Sequence, residues 1–201
     1  MLRRNKTRKQ KLKVNGLIIV IIGFTICSCD MGYKYYVKIT DNKKIEQFIT
    51  NNIISKNIEE TEEELKIDEY IGILEIEKIN LKKGFYTKNS SNNKVSKGLE
   101  IINKSDMPNI KYGTFIIASH SGNGQVAYFN KLYKLTYGDI INVYYNENKY
   151  KYELIDIYEV DKNRIVEIDK ESDKTILVLI TCNKNDDKKQ VVYISKLIEI
   201  F

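Results

Sequence analysis

The sequence predicts a mostly β body, a small barrel of short and mainly antiparallel strands, carried on an N-terminal membrane anchor and a helical stalk. Three observations lead there. After residue 69 the apolar residues fall into short runs bounded by polar loops, with only brief helical patterns between them. The 201-residue chain is 42% hydrophobic, with fifteen tyrosines and no tryptophan, an aromatic bias that suits a sheet. Its positive charge is also gathered at one end.

That end comes first. Arg3, Arg4, Lys6, Arg8, Lys9, Lys11 and Lys13 put seven positive charges and no acid into residues 1–13. Setting these seven aside from the 33 basic residues leaves 26 against 27 acidic ones, a net of −1 for the rest. The formal +6 is therefore a tail and not a basic face, which argues against a nucleic-acid partner. Residues 14–29 carry no charge, and Tyr33, Tyr35 and Tyr36 follow as an interfacial belt. Residues 14–36 are read as a membrane anchor with the basic tail in the cytoplasm and everything after Asp30 outside. A cleaved secretory signal is a second reading. A lipoprotein signal is a third, because Ile26-Cys27-Ser28-Cys29 loosely resembles a lipobox with Cys29 as the lipidated residue.

Residues 37–68 form the expected stalk, helix-prone and closing on the acidic run Glu59, Glu60, Glu62, Glu63 and Glu64. The run reads as a solvated face and lacks the alternating spacing of a calcium loop. The body, residues 69–201, then unfolds as a series of elements. Residues 70–81 alternate as one strand, and a Ser/Asn/Lys-rich loop covers 88–97. Residues 113–119 form an apolar strand ending at His120. Residues 125–135 read as a short helix with Val126, Phe129, Leu132 and Tyr133 on one face. Residues 140–145 and 150–158 make a hairpin about Asn146-Glu147-Asn148. Residues 174–181 and 191–199 complete the set.

Two solitary groups carry the chemistry. Cys182 ends the aliphatic run of 176–180 and faces the polar loop of 183–187. Free cysteine is among the most buried residue types, so a packing role at a strand end is the plain reading. Cys27 and Cys29 lie in or beside the anchor, however, which leaves Cys182 as the lone thiol of an exported body. Such a thiol is exposed to unwanted oxidation unless it is used. His120, the one histidine, has the same setting: an apolar strand, then the small loop Ser121-Gly122-Asn123-Gly124. A thiolate attacks a carbonyl, and an imidazolium lowers the thiol pKa and protonates the leaving amine. One His and one Cys supply only two of the three or four ligands that zinc requires, so no metal is expected.

Val178-Leu-Ile-Thr-Cys182 resembles the TLxTC signature of sortases, with Val178 where the family has its first threonine. Phe115-Ile-Ile-Ala-Ser-His120-Ser121 is similar to the family's histidine strand. Ile71-Gly-Ile-Leu-Glu-Ile-Glu-Lys-Ile-Asn-Leu81, Phe129-Asn-Lys-Leu132 and Gly138-Asp139 match in the family's order, across residues 69–201. The resemblance implies a closed eight-stranded barrel with cysteine and histidine at the ends of neighbouring strands, and no cofactor. It implies a cysteine transpeptidase of the Gram-positive cell surface. Such an enzyme cleaves an LPxTG-like sorting signal of a secreted protein, holds a thioacyl intermediate, and passes it to an amine such as a peptidoglycan precursor. The family's arginine on the strand after the cysteine is missing. Its place falls on Gln190, with Lys189 alongside, while Arg164 lies upstream. Gln190 can donate hydrogen bonds without charge. Two other readings stay open: a weak or inactive peptide-binding module on the same barrel, and a lipoprotein-anchored cysteine hydrolase.

Overall fold

The computed structural model describes residues 2–55, 69–162 and 173–201, with side chains over 15–51 of the first segment. The chain divides into two compact units, Met1–Asn42 and Lys43–Phe201. The first is built on helix α1, Leu2–Ser55, which continues into the second. Within α1 the stretch Asn15–Asn51 is long and apolar enough to cross a membrane, with a mean hydropathy of 1.8 over its apolar window. Leu17, Ile19, Val20, Phe24 and Ile26 all present their side chains outward. In water nothing would stabilise such a surface, whereas hydrocarbon does. The first charge after the apolar run, Asp30, is matched one turn on by Lys34 at 2.5 Å. The acidic run of 59–64 and Arg164 lie outside the described residues.

The second unit is an eight-stranded, nearly closed barrel. Its strands are β1 Gly72–Ile76, β2 Leu81–Phe85, β3 Glu100–Ile101, β4 Thr114–Ala118, β5 Ile140–Tyr145, β6 Asn148–Asp161, β7 Ile176–Cys182 and β8 Lys189–Ile200. They pair in the order β2-β1-β5-β6-β8-β7-β4-β3. All these pairings are antiparallel except β4 with β7. The two ends of the order, β2 and β3, do not pair with each other among the described residues. In the core the Phe85 ring of β2 and the Phe115 ring of β4 meet at 5.5 Å between centroids.

Alternation along the strands splits the apolar residues between two faces. The inward set, including Leu74, Ile76, Phe85, Phe115, Ile117, Tyr152, Leu177 and Leu179, forms the main core. The outward residues of β4, β6, β7 and β8 form a second cluster around Ile176, Val178 and Val192. The β7 run is thus apolar throughout because both its faces are covered. A third, small cluster packs Ile45 of α1 against Tyr70 and Ile73, flanked by Phe48, Tyr86 and Tyr144.

Three expectations change. Residues 70–81 are not one strand: β1 ends at a 3-10 turn, Glu77–Ile79, and Asn80 takes the left-handed conformation that starts β2. Asparagine tolerates that conformation better than most residues. Residues 125–135 are not a helix: only Leu132–Lys134 forms a 3-10 turn. Leu132 N donates to Phe129 O and Leu135 N to Leu132 O, so the spacing of three that mimics a helix face is met by short turns. Strand β3, two residues long, has no visible period and was not expected. The predicted hairpin is present, closed by Asn146 and Glu147, both at positive φ of 48° and 63°. A two-residue turn of that kind matches the twist of the flanking strands.

Candidate active site

The site grows out of the parallel pair. The β4–β7 ladder joins Thr114 to Ile176 and Ala118 to Ile180. Carried two residues further, the same register sets His120 level with Cys182. Three hydrogen bonds extend the pairing past the formal strand ends. Ser119 N donates to Ile180 O at 3.2 Å, and Thr181 Oγ1 to Ser119 O at 2.8 Å. Ser121 Oγ donates to Cys182 O at 2.7 Å. His120 is thereby held between two bonded neighbours, and its own carbonyl accepts from Phe129 N at 3.0 Å. The imidazole is exposed, and the Cys182 thiol is free and half-buried.

Cys182 lies on the outer face of the barrel, the face of Ile180 and Val178, because Leu177 and Leu179 point inward. Behind it on that face Val178 and Val192 are fully buried, with Ile116, Ile180 and Ile194 partly buried around them. Cys182 itself also lines a cleft of about 250 Å³, with the polar Ser121, Glu159 and Asn183 and the apolar Leu135, Ile157 and Val191 among others.

Strand β8 supplies the third predicted residue. Cys182 pairs directly with Gln190 in the antiparallel β7–β8 register, and opposed residues in such a ladder share a face. Gln190 therefore occupies the position next to the thiol. Lys189 does not: its Nζ donates to Glu159 Oε2 at 3.2 Å. That hydrogen bond, with the carboxylate's charge, holds the ammonium above its ordinary pKa.

Sequence reasoning missed the parts that hold the thiol still. Asn183 Nδ2 donates to Glu159 Oε1 at 2.6 Å, while its Oδ1 accepts from Asn185 N at 2.8 Å and Asp186 N at 3.2 Å. Asp186 Oδ1 accepts from Lys188 N at 2.9 Å, and Asn183 N reaches across to Lys189 O. The Asn/Asp content of 183–187 is the local sign of such side-chain-to-backbone turns. The Glu159 contact depends on the β6–β8 register and leaves no local sign. Among the described residues no three His, Cys, Asp or Glu side chains gather to hold a metal.

Known proteins share this architecture. Residues 74–198 match the sortase domain. Sortase C of Streptococcus pneumoniae superposes with a TM-score of 0.60 at 23% identity, over 67% of this chain and 69% of its own. Sortase E1 of Streptomyces coelicolor, solved with a tripeptide in its active site, gives 0.57 at 22% identity, over 65% and 89%. Sortase A of Corynebacterium diphtheriae gives 0.58 at 20% identity, over 65% and 61%. Identities this low carry the fold alone. No curated protein matches the chain. The family domain, however, runs from β1 into β8 and takes in both His120 and Cys182, and on that match the chain belongs to the sortase family.

Proposed function

We propose that this is a membrane-anchored sortase in which Cys182 is the nucleophile, His120 the proton carrier and Gln190 a neutral oxyanion or substrate donor. The observation that carries the reading is the β4–β7 register, which runs to Ala118 and Ile180 and, carried two residues further, supports His120 beside Cys182. The Cys182 thiolate adds to the carbonyl carbon of a sorting-signal peptide bond. The tetrahedral oxyanion collapses as the His120 imidazolium gives its proton to the departing amine. A thioester remains. An incoming amine attacks it, His120 takes the proton, and the new amide leaves with the thiolate restored. The cleft that Cys182 itself lines, with Leu135, Ile157 and Val191 on its apolar side and Ser121, Glu159 and Asn183 on its polar side, suits an extended LPxTG-like peptide and the arriving amine. The apolar helix and the seven positive charges before it support a topology with the basic tail inside and this chemistry outside.

The test is transfer itself. The full chain in detergent is incubated with LPxTG-type peptides and a peptidoglycan-like amine, beside Cys182→Ala. Peptide cleavage, a thioester adduct and a new amide are expected from the native chain and from none of the variant. Absence of all three across sorting-signal variants overturns the reading.

The uncharged Gln190 beside the thiol favours one other reading, a sortase-like module that binds sorting peptides with little turnover. It is distinguished by peptide binding without cleavage, and by a Cys182 that alkylates no faster than in the unfolded chain.

A further inference from the structure

We infer that Asn123 is a self-modifying site, converted by its neighbour Gly124 to isoaspartate or aspartate within the loop that carries His120. In this reaction the Gly124 backbone nitrogen attacks the Asn123 carboxamide carbon and expels ammonia, leaving a five-membered succinimide. Water then opens the ring at either carbonyl. Opening at one gives aspartate. Opening at the other gives isoaspartate, in which the main chain runs through the side chain and gains a methylene. The net change is amide plus water to acid plus ammonia, so no other reactant is needed.

The reaction is favoured by a nitrogen that is not engaged in a hydrogen bond, a following residue without a side chain, and a backbone able to swing into the attacking geometry. The chain has three asparagines followed by glycine or serine, and the fold treats each differently. Asn15-Gly16 lies inside α1, where the helix ladder occupies the nitrogen. In Asn89-Ser90 the serine is buried and its nitrogen donates to Thr87 O at 3.1 Å. Asn123-Gly124 is exposed. Among the described residues neither the Asn123 carboxamide nor the Gly124 N–H makes a hydrogen bond. No atom stands within 4 Å of where a Cβ on Gly124, or on Gly122, would lie. Only this site meets all three conditions.

Its position gives the change a consequence. The loop from His120 to Phe129 is closed by Phe129 N to His120 O and tied to the cysteine strand by Ser121 Oγ to Cys182 O. An added methylene lengthens that closed loop, and the new carboxylate lies three residues from the imidazole. This second half rests on the sortase reading; the modification itself does not.

The full chain in detergent is aged in mildly alkaline buffer and mapped by mass spectrometry with separation of the isomeric peptides. Conversion of Asn123 alone is expected, with Asn15 and Asn89 converting only after unfolding in urea. Gly124→Ala should slow it roughly 10-fold, since alanine restricts the approach. Asn123→Gln should abolish it. Transfer of a sorting peptide should fall in step with isoaspartate in the native chain and hold steady in Asn123→Gln. An Asn123 that stays intact in the folded chain, or converts no faster than Asn89, overturns the site. Conversion with undiminished transfer overturns its bearing on His120. A chain with no transferase activity still answers the first question by mass.

Discussion

The loops after β4 and β7 begin alike and end differently. Each follows an apolar strand, and each starts with a residue able to carry acyl-transfer chemistry. The loop behind Cys182 is pinned by Asn183, Asp186 and Glu159 through five hydrogen bonds, Asn183 N to Lys189 O included. In the loop behind His120, the N–H groups of Gly122, Asn123 and Gly124 donate to nothing among the described residues. On the reading proposed above, the difference would divide the labour. A nucleophile must stand at a fixed distance from its target, while a proton carrier serves first the leaving amine and then the arriving one. One loop holds position, and the other permits displacement.

Changes to the reactive residues break the contrast most severely. Cys182→Ala should abolish transfer, and His120→Ala should lower the rate by roughly 100–10,000-fold, read as peptide turnover. Next comes Gln190→Arg, which places a charged donor beside the pinned thiol. It should raise turnover by up to about 100-fold, the scale of a single oxyanion donor. No gain there removes Gln190 from the site. Asn183→Ala releases the cysteine loop and should cost about 1–2 kcal/mol, a fall in Tm of roughly 2–8 °C. Thiol alkylation by iodoacetamide should become faster at the same time. The smallest effect belongs to the other loop. Gly122→Ala meets no neighbour and sits at no left-handed φ, so it should stabilise the fold by about 0.4–1 kcal/mol. Slower turnover in that variant, despite its higher Tm, would show that displacement of the histidine loop matters.

Much of this was legible in the residues. The apolar runs at 113–119 and 174–181 announce β4 and β7, and Cys182 stands where the second run ends. The β5–β6 hairpin is marked by Asn146. What stayed hidden depends on partners far along the chain. The break at Glu77–Ile79 is invisible because Ile79 and Leu81 keep the alternation going across the turn. The spacing of Phe129, Leu132 and Leu135 fits a helix and a chain of short turns equally. Glu159 is one acid among 27 until the β6–β8 pairing brings it to Asn183 and Lys189. The sequence alone leaves Lys189 as an alternative to Gln190 should the register slip by one, and the pairing shows that it is Gln190 that stands opposite Cys182.

The side-by-side pairing of β4 and β7 also governs when chemistry becomes possible. Parallel neighbours cannot be joined by a tight turn; here the whole β5–β6 hairpin is threaded between them. Contacts so distant along the chain are among the slowest to form, and this one waits for the last third of the polypeptide. Until β7 is made and paired, Cys182 has no ordered place beside the end of β4, so its approach to His120 waits for the completed fold.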